Sequence, residues 1–233
     1  MDQQIAEVEG RAILLCDMDE TLIAGKSMLS YFQLAAHMGG SPLQKSAASF
    51  LDTIGSGDAN SRVSLNRRYY EHMSGISSSY ARELGARWFN QRTEDPYFFL
   101  QSVLERVRDY QERGYELWIV SGSHHACVHH VAGYLDADKV LCTEKAVTED
   151  GIFTGDIAVP MIGGDKAAAV SSHLAPLVPS QVEIAAMGDH LSDVPMLSLA
   201  QTAFVVEPDE QLSGIANAMG WNCIPHAQEL IYK

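Results

Sequence analysis

Six short apolar runs punctuate the chain, and each is continuous where a half-exposed strand would alternate. They are AILLC (12–16), ELWIVS (116–121), KVLC (139–142), VEIAAM (182–187), TAFVV (202–206) and WNCI (221–224). A strand with one face in water alternates apolar and polar residues, whereas a strand buried on both faces does not. Helical patterns fill the gaps at 98–114, 124–135, 165–175, 194–200 and 210–220. Strand–helix alternation with short links predicts an α/β fold, a parallel sheet with helices on both faces. In such sheets ligands bind beyond the carboxyl ends of the strands.

One section breaks the rhythm. Residues 24–96 contain no buried-strand pattern and instead read as helices, SMLSYFQLAAHM, RVSLNRRYYEHM and SYARELGARWFNQ, separated by GGSPLQKS and the Gly/Ser-rich IGSGDANS. GISSSY supplies helix-capping residues, and TEDP is a re-entry turn. The expected organisation is a catalytic core, 1–23 and 97–233, with a helical cap, 24–96, inserted after the first strand. KAVTEDGIFTGDI (145–157) predicts a small hairpin.

Composition removes several function classes. With 46% hydrophobic residues the chain can bury a full core, so global disorder is excluded. A net charge of −14 argues against a nucleic-acid partner and fits an acidic pocket that holds a cation. The acidic N-terminus MDQQIAEVEGR lacks the apolar segment of a secretory signal. No apolar run approaches the roughly 20 residues of a membrane span, so no membrane partner is expected. Cys16, Cys127, Cys142 and Cys223 are scattered without a CxxC pair. They read as small buried hydrophobes of a reducing cytoplasmic compartment.

The polar clusters at the strand ends carry the chemistry. The first strand runs into DMDET, where Asp17 and Asp19 share one face of an extended chain and repel each other. The second runs into SGSHH from Ser121. GGDK places Lys166 at a helix start before the fourth, and GDHLSD places Asp189 and Asp193 after it. Neighbouring strands would bring these groups to one edge. Mg2+ takes oxygen ligands and suits a few carboxylates plus a phosphate. A carboxylate can act as nucleophile, and a second can protonate the leaving oxygen and then activate water. A hydroxyl, backbone N–H groups and an ammonium can hold phosphoryl oxygens.

These four motifs, in order, resemble the haloacid dehalogenase-like superfamily, in its phosphatase branch and the phosphoserine-phosphatase-like group. The resemblance runs from about Ile13 to Trp221 and includes the insertion point of the cap. It implies a Rossmann-like core and a Mg2+-dependent phosphatase of a small phosphorylated metabolite, working through an aspartyl-phosphate. By resemblance Asp17 is the nucleophile, and Asp19 is the general acid/base whose backbone carbonyl binds the metal. Thr21 shapes the first loop. Ser121 and the Gly122 N–H hold phosphate, and Lys166 bridges phosphate and Asp17. Asp189 ligates Mg2+, and Asp193 ligates through water or orients Lys166. Asp19 argues against a dehalogenase, which does not carry that aspartate.

Other residues are placed by weaker arguments. His124 starts a helix just after the phosphate serine and is a substrate-contact candidate, as is Arg67 in the cap. His125 and His129, four apart, are a possible metal pair but lack a nearby third ligand. Trp88 and Phe89 read as cap core. In phosphoserine phosphatases a glutamate nine residues after the nucleophile pairs with the substrate ammonium; here that position is Lys26. Phosphoserine is therefore not the expected preferred substrate, and Lys26 should favour a leaving group bearing a carboxylate, a second phosphate or neutral hydroxyls. Two other activities fit the motifs: phosphoryl transfer to an acceptor alcohol, and a receiver-like regulatory protein phosphorylated on Asp17.

Overall fold

The computed structural model describes residues 10–55, 62–177 and 179–225. Most of the Gly/Ser-rich segment within the expected cap, and most of the acidic N-terminus, lie outside these residues.

The first strand, β1 (Arg11–Cys16), shows why the apolar runs are continuous. Leu14 and Cys16 enter the core under one face of the sheet, and Ile13 and Leu15 enter the core under the other. The same split recurs in β2 (Glu116–His124), where Leu117 and Ile119 face one core and Trp118 and Val120 the other. Both faces are dry, so alternation is absent.

The remaining strands are β3 (Lys139–Val147), β4 (Phe153–Val159), β5 (Val182–Gly188), β6 (Thr202–Val206) and β7 (Asn222–Ile224). They form one seven-stranded sheet in the order β4-β3-β2-β1-β5-β6-β7. All pairings are parallel except β3–β4, an antiparallel edge hairpin. The hairpin falls where the turn residues predicted it, but its first arm continues β3. The chain winds outward from β1 to β2 and β3, then returns to β1's other side with β5. That reversal opens a crevice at the carboxyl ends of β1 and β5.

Between β1 and β2 lie α1 (Ser27–His37), α2 (Gln44–Gly55), α3 (Arg62–Glu71), α4 (Ser78–Arg92) and α5 (Gln101–Glu112). The Ser77 side chain accepts the Tyr80 N–H at 3.2 Å and caps α4, as the GISSSY segment suggested. Trp88 is buried in α4, and its Nε1 donates to Ser30 Oγ on α1 at 2.8 Å. Helices α1 to α3 pack Tyr31, Phe32, Phe50 and Tyr69 into the same hydrophobic core as one sheet face. Phe98 and Phe99 stay outside α5 and pair with the outgoing chain. Ala24 N–H donates to the Phe98 carbonyl at 2.8 Å, and Leu100 N–H to the Leu22 carbonyl at 3.1 Å.

The last four helices are α6 (His125–Tyr134), α7 (Gly164–Leu174), α8 (Val194–Leu197) and α9 (Glu210–Met219). Gly85 on α4 lies so close to α6 that a Cβ there would stand 2.1 Å from the Ala126 carbonyl oxygen. Cys16, Cys127 and Cys142 are buried and free, but Cys223 is exposed, against expectation. It sits on β7, the sheet's outer strand, whose burial pattern leaves it in solvent. Among the described residues no helix is long and apolar enough to cross a membrane.

Candidate active site

Asp17 sits at the tip of β1, where its N–H donates to the Met187 carbonyl of β5 at 3.0 Å. The chain then turns tightly. The Met18 carbonyl accepts N–H bonds from Leu22 at 2.9 Å and Ile23 at 3.1 Å. Glu20 takes a left-handed conformation at φ +63° to close the turn. This loop turns Asp17 and Asp19 into one cavity, together with Lys26, Ser121, Gly122 and Lys166.

Lys166, in the first turn of α7, joins the two halves of the crevice. Its Nζ lies 2.7 Å from Asp17 Oδ1 and 2.7 Å from Asp193 Oδ1, and all three side chains are buried. Burial alone would lower the lysine's pKa; the two carboxylates outweigh it and hold the ammonium above its ordinary value. Burial pushes the Asp17 carboxyl up, against the pull of Lys166. Asp193 Oδ2 accepts the His190 N–H at 3.2 Å, so both of its oxygens are engaged. Gly188 makes this approach possible, since a Cβ there would stand 2.7 Å from Asp193 Cβ.

Asp189 Oδ1 accepts the Thr21 hydroxyl at 3.3 Å. Carboxylate oxygens of Asp17, Asp189 and Asp193 lie within 4.8 Å of one another, the single such grouping of potential ligands among the described residues. Two of the three carboxylates, Asp17 and Asp193, share the Lys166 ammonium, and the donor set is all oxygen. It fits a hard divalent cation.

Asp19 is held from the insert. Ser27, first residue of α1, donates its N–H to Asp19 Oδ1 at 3.0 Å and its hydroxyl to Oδ2 at 3.0 Å. Burial, then the charge of Asp17, raises the Asp19 carboxyl to about 7, and the Ser27 bonds limit the rise.

Ser121 and Gly122 lie where β2 leaves register with β3. Ser121 pairs with Cys142, yet His124 pairs with Thr143, so the intervening residues bulge toward the cavity. The Ser123 N–H donates to Ser121 Oγ at 3.1 Å. The Gly122 carbonyl accepts three donors: Asn66 Nδ2 at 3.0 Å, Tyr70 hydroxyl at 3.0 Å and Thr143 Oγ1 at 2.9 Å.

Several expected site residues stand elsewhere. Thr21 is fully buried and turned to Asp189, which suits shaping the loop and leaves no face toward substrate. Arg67 is on the solvent side of α3, paired with Glu71 at 3.5 Å, with 76% of its side chain exposed. His124 is fully buried, with Nε2 3.0 Å from the Tyr69 hydroxyl and Nδ1 3.2 Å from Lys145 Nζ. The bulge turns it into the core, and burial and then Lys145 hold its pKa well below the ordinary histidine value. His125 and His129 stack with ring centroids 5.0 Å apart and gather no third ligand among the described residues. Lys26 does line the cavity, but Glu20 lies 3.5 Å from its Nζ. Sequence reasoning missed Ser27, Asn66, Tyr70 and Thr143. Only Ser27 left a signal, a small hydroxyl residue at a helix start.

The model of the haloacid dehalogenase-like hydrolase family matches residues 14–198. A Streptomyces azureus protein named for inhibition of morphological differentiation is 27% identical over 216 residues, 91% of this chain and 77% of that one. A phosphoserine phosphatase of Mycobacterium tuberculosis is 26% identical over 218 residues, covering 88% of this chain and 68% of that one. Among solved structures, a Bordetella pertussis protein of unknown function superposes with a TM-score of 0.75 at 21% identity, over 92% of this chain and 98% of that one. A substrate-bound phosphoserine phosphatase superposes at 0.61 with 17% identity, over 95% and 98%. The last two likenesses concern the fold. The match over most of the chain settles membership: this protein belongs to the haloacid dehalogenase-like hydrolase family.

Proposed function

We propose that the protein hydrolyses a small phosphomonoester through a phosphoryl group carried on Asp17, with Mg2+ as cofactor and residues 24–96 as a cap. The observation that carries this reading is the shared cavity of Asp17, Asp19, Ser121, Gly122 and Lys166. Asp17 and Asp189 would hold the cation, with the Asp19 carbonyl as a further ligand. Asp193, spent on Lys166 and the His190 N–H, orients the lysine. When bound, Mg2+ supplies positive charge against the phosphoryl oxygens.

The protein's own groups account for the steps. An Asp17 oxygen attacks phosphorus, and the ester oxygen leaves with the proton of Asp19. A water then attacks the phosphoryl group on Asp17 and gives its proton to Asp19. Inorganic phosphate leaves and both carboxyls return to their starting states. A carboxyl near 7 suits both roles at neutral pH. Lys166 and Ser121 hold charge and orientation throughout. An acid/base beside the phosphorylated residue also disfavours a lasting regulatory signal.

Phosphate release from p-nitrophenyl phosphate tests the reading. Asp17→Asn should lose several orders of magnitude in turnover with its fold intact, and excess chelator should abolish activity reversibly. Substantial turnover in either case overturns it.

A further inference from the structure

Beyond the reacting end, the cavity wall is apolar. Met28 and Leu29 of α1, Phe50 of α2, Leu65 and Tyr69 of α3, and Ile162 before α7 form it. Among the described residues four charged side chains reach the cavity: Asp17, Asp19, Lys26 and Lys166. Asp17, Asp19 and Lys166 belong to the chemistry. Lys26 is paired with Glu20. The two polar groups on the α3 side are also engaged, the Tyr69 hydroxyl beside His124 Nε2 and the Asn66 amide on the Gly122 carbonyl. Among the described residues, the wall offers a charged leaving group no uncommitted counter-charge.

We propose that the alcohol half of the substrate is uncharged and mainly apolar, and that α1, α2 and α3 select it by its hydrocarbon body. This inference rests on the hydrolase reading above and names its substrate class. It narrows the expectation for Lys26 to the neutral alternative, because Glu20, 3.5 Å from its Nζ, competes with an anion for the ammonium. An amino acid leaving group would bring an ammonium and a carboxylate against apolar walls. Placing an unpaired charge there should lower kcat/KM by at least about a hundredfold. Each methylene seated against the wall should raise it by roughly four- to tenfold.

The test is phosphate release by the full chain with Mg2+. Ethyl, butyl, hexyl and phenyl phosphate are compared with phosphoserine and 2-phosphoglycolate, and acetyl phosphate reports the chemistry with a minimal leaving group. The expected result is a kcat/KM that climbs along the alkyl series, with hexyl phosphate at least about a hundredfold above phosphoserine. Leu65→Asp or Leu29→Asn should flatten the alkyl series and narrow the hexyl-to-phosphoserine ratio to about tenfold or less. A flat alkyl series in the unmodified protein, or phosphoserine or 2-phosphoglycolate ranking first, overturns the inference and leaves the hydrolase reading standing. No phosphate from any compound, acetyl phosphate included, removes that reading and this one with it.

Discussion

Ser27 grips both carboxylate oxygens of Asp19, its N–H on Oδ1 and its hydroxyl on Oδ2, each at 3.0 Å. The first residue of an insert helix thus holds the group assigned as general acid/base. The Ser27 hydroxyl lies 2.7 Å from Ser123 Oγ, so the grip extends to the bulge after Ser121.

This relationship predicts a pH effect. In the proposed mechanism Asp19 donates its proton in phosphoryl transfer, so that step should be fast below about 7 and decline above it. The Ser27 bonds favour the ionised carboxylate and hold the value down. Ser27→Ala should therefore move the alkaline limb to higher pH and slow turnover near neutrality, where less carboxylate remains to activate water. Burst and steady-state rates with p-nitrophenyl phosphate across pH check both points. An unmoved limb would separate Ser27 from the titration of Asp19.

The Gly122 carbonyl predicts non-additivity. Three donors share one acceptor, and two of them, Asn66 and Tyr70, come from α3. Losing one leaves the peptide pinned, at about 1 kcal/mol. Losing both α3 donors should free it and disturb the Ser123 N–H bond to Ser121 Oγ. The double variant Asn66→Ala/Tyr70→Phe should weaken inhibition by inorganic phosphate by more than the product of the single effects. Purely multiplicative effects would show that the carbonyl does not position Ser121.

Lys145 predicts a stability difference. Its Nζ lies 3.7 Å from the Phe153 ring centroid, 3.8 Å from Met73 Sδ and 3.2 Å from His124 Nδ1. Burial lowers the ammonium to about 7 from an ordinary value of 10.5. Since the folded value is depressed, the wild type is most stable above the unfolded value and loses stability as pH falls from about 10.5 toward 7. Lys145→Met removes that loss. Its melting temperature should exceed the wild type's near pH 6, and the gap should shrink toward pH 10. A constant gap, or a less stable variant at low pH, would show that the ammonium is well accommodated.

Much of the site could be placed from the residues alone because its determinants are local. A continuous apolar run marks a doubly buried strand, and the groups that follow it must emerge at that strand's end; hence Asp17, Ser121 and Asp189 meet at one edge. Lys166 followed from its place at a helix start beside them. What the insert brings to the edge was not legible. Helical periodicity says that α3 buries one face, but not that Asn66 and Tyr70 end on a carbonyl 56 and 52 residues away. His124 follows Ser121 closely, yet the bulge changes which residues face the core and sends its ring inward. Lys26 is a cation in sequence and half of a pair in space, because the turn through Glu20 brings the carboxylate back to it. Motif order follows from the chain itself. Azimuth, register and charge pairing follow from packing between distant segments, and only the tertiary structure decides them.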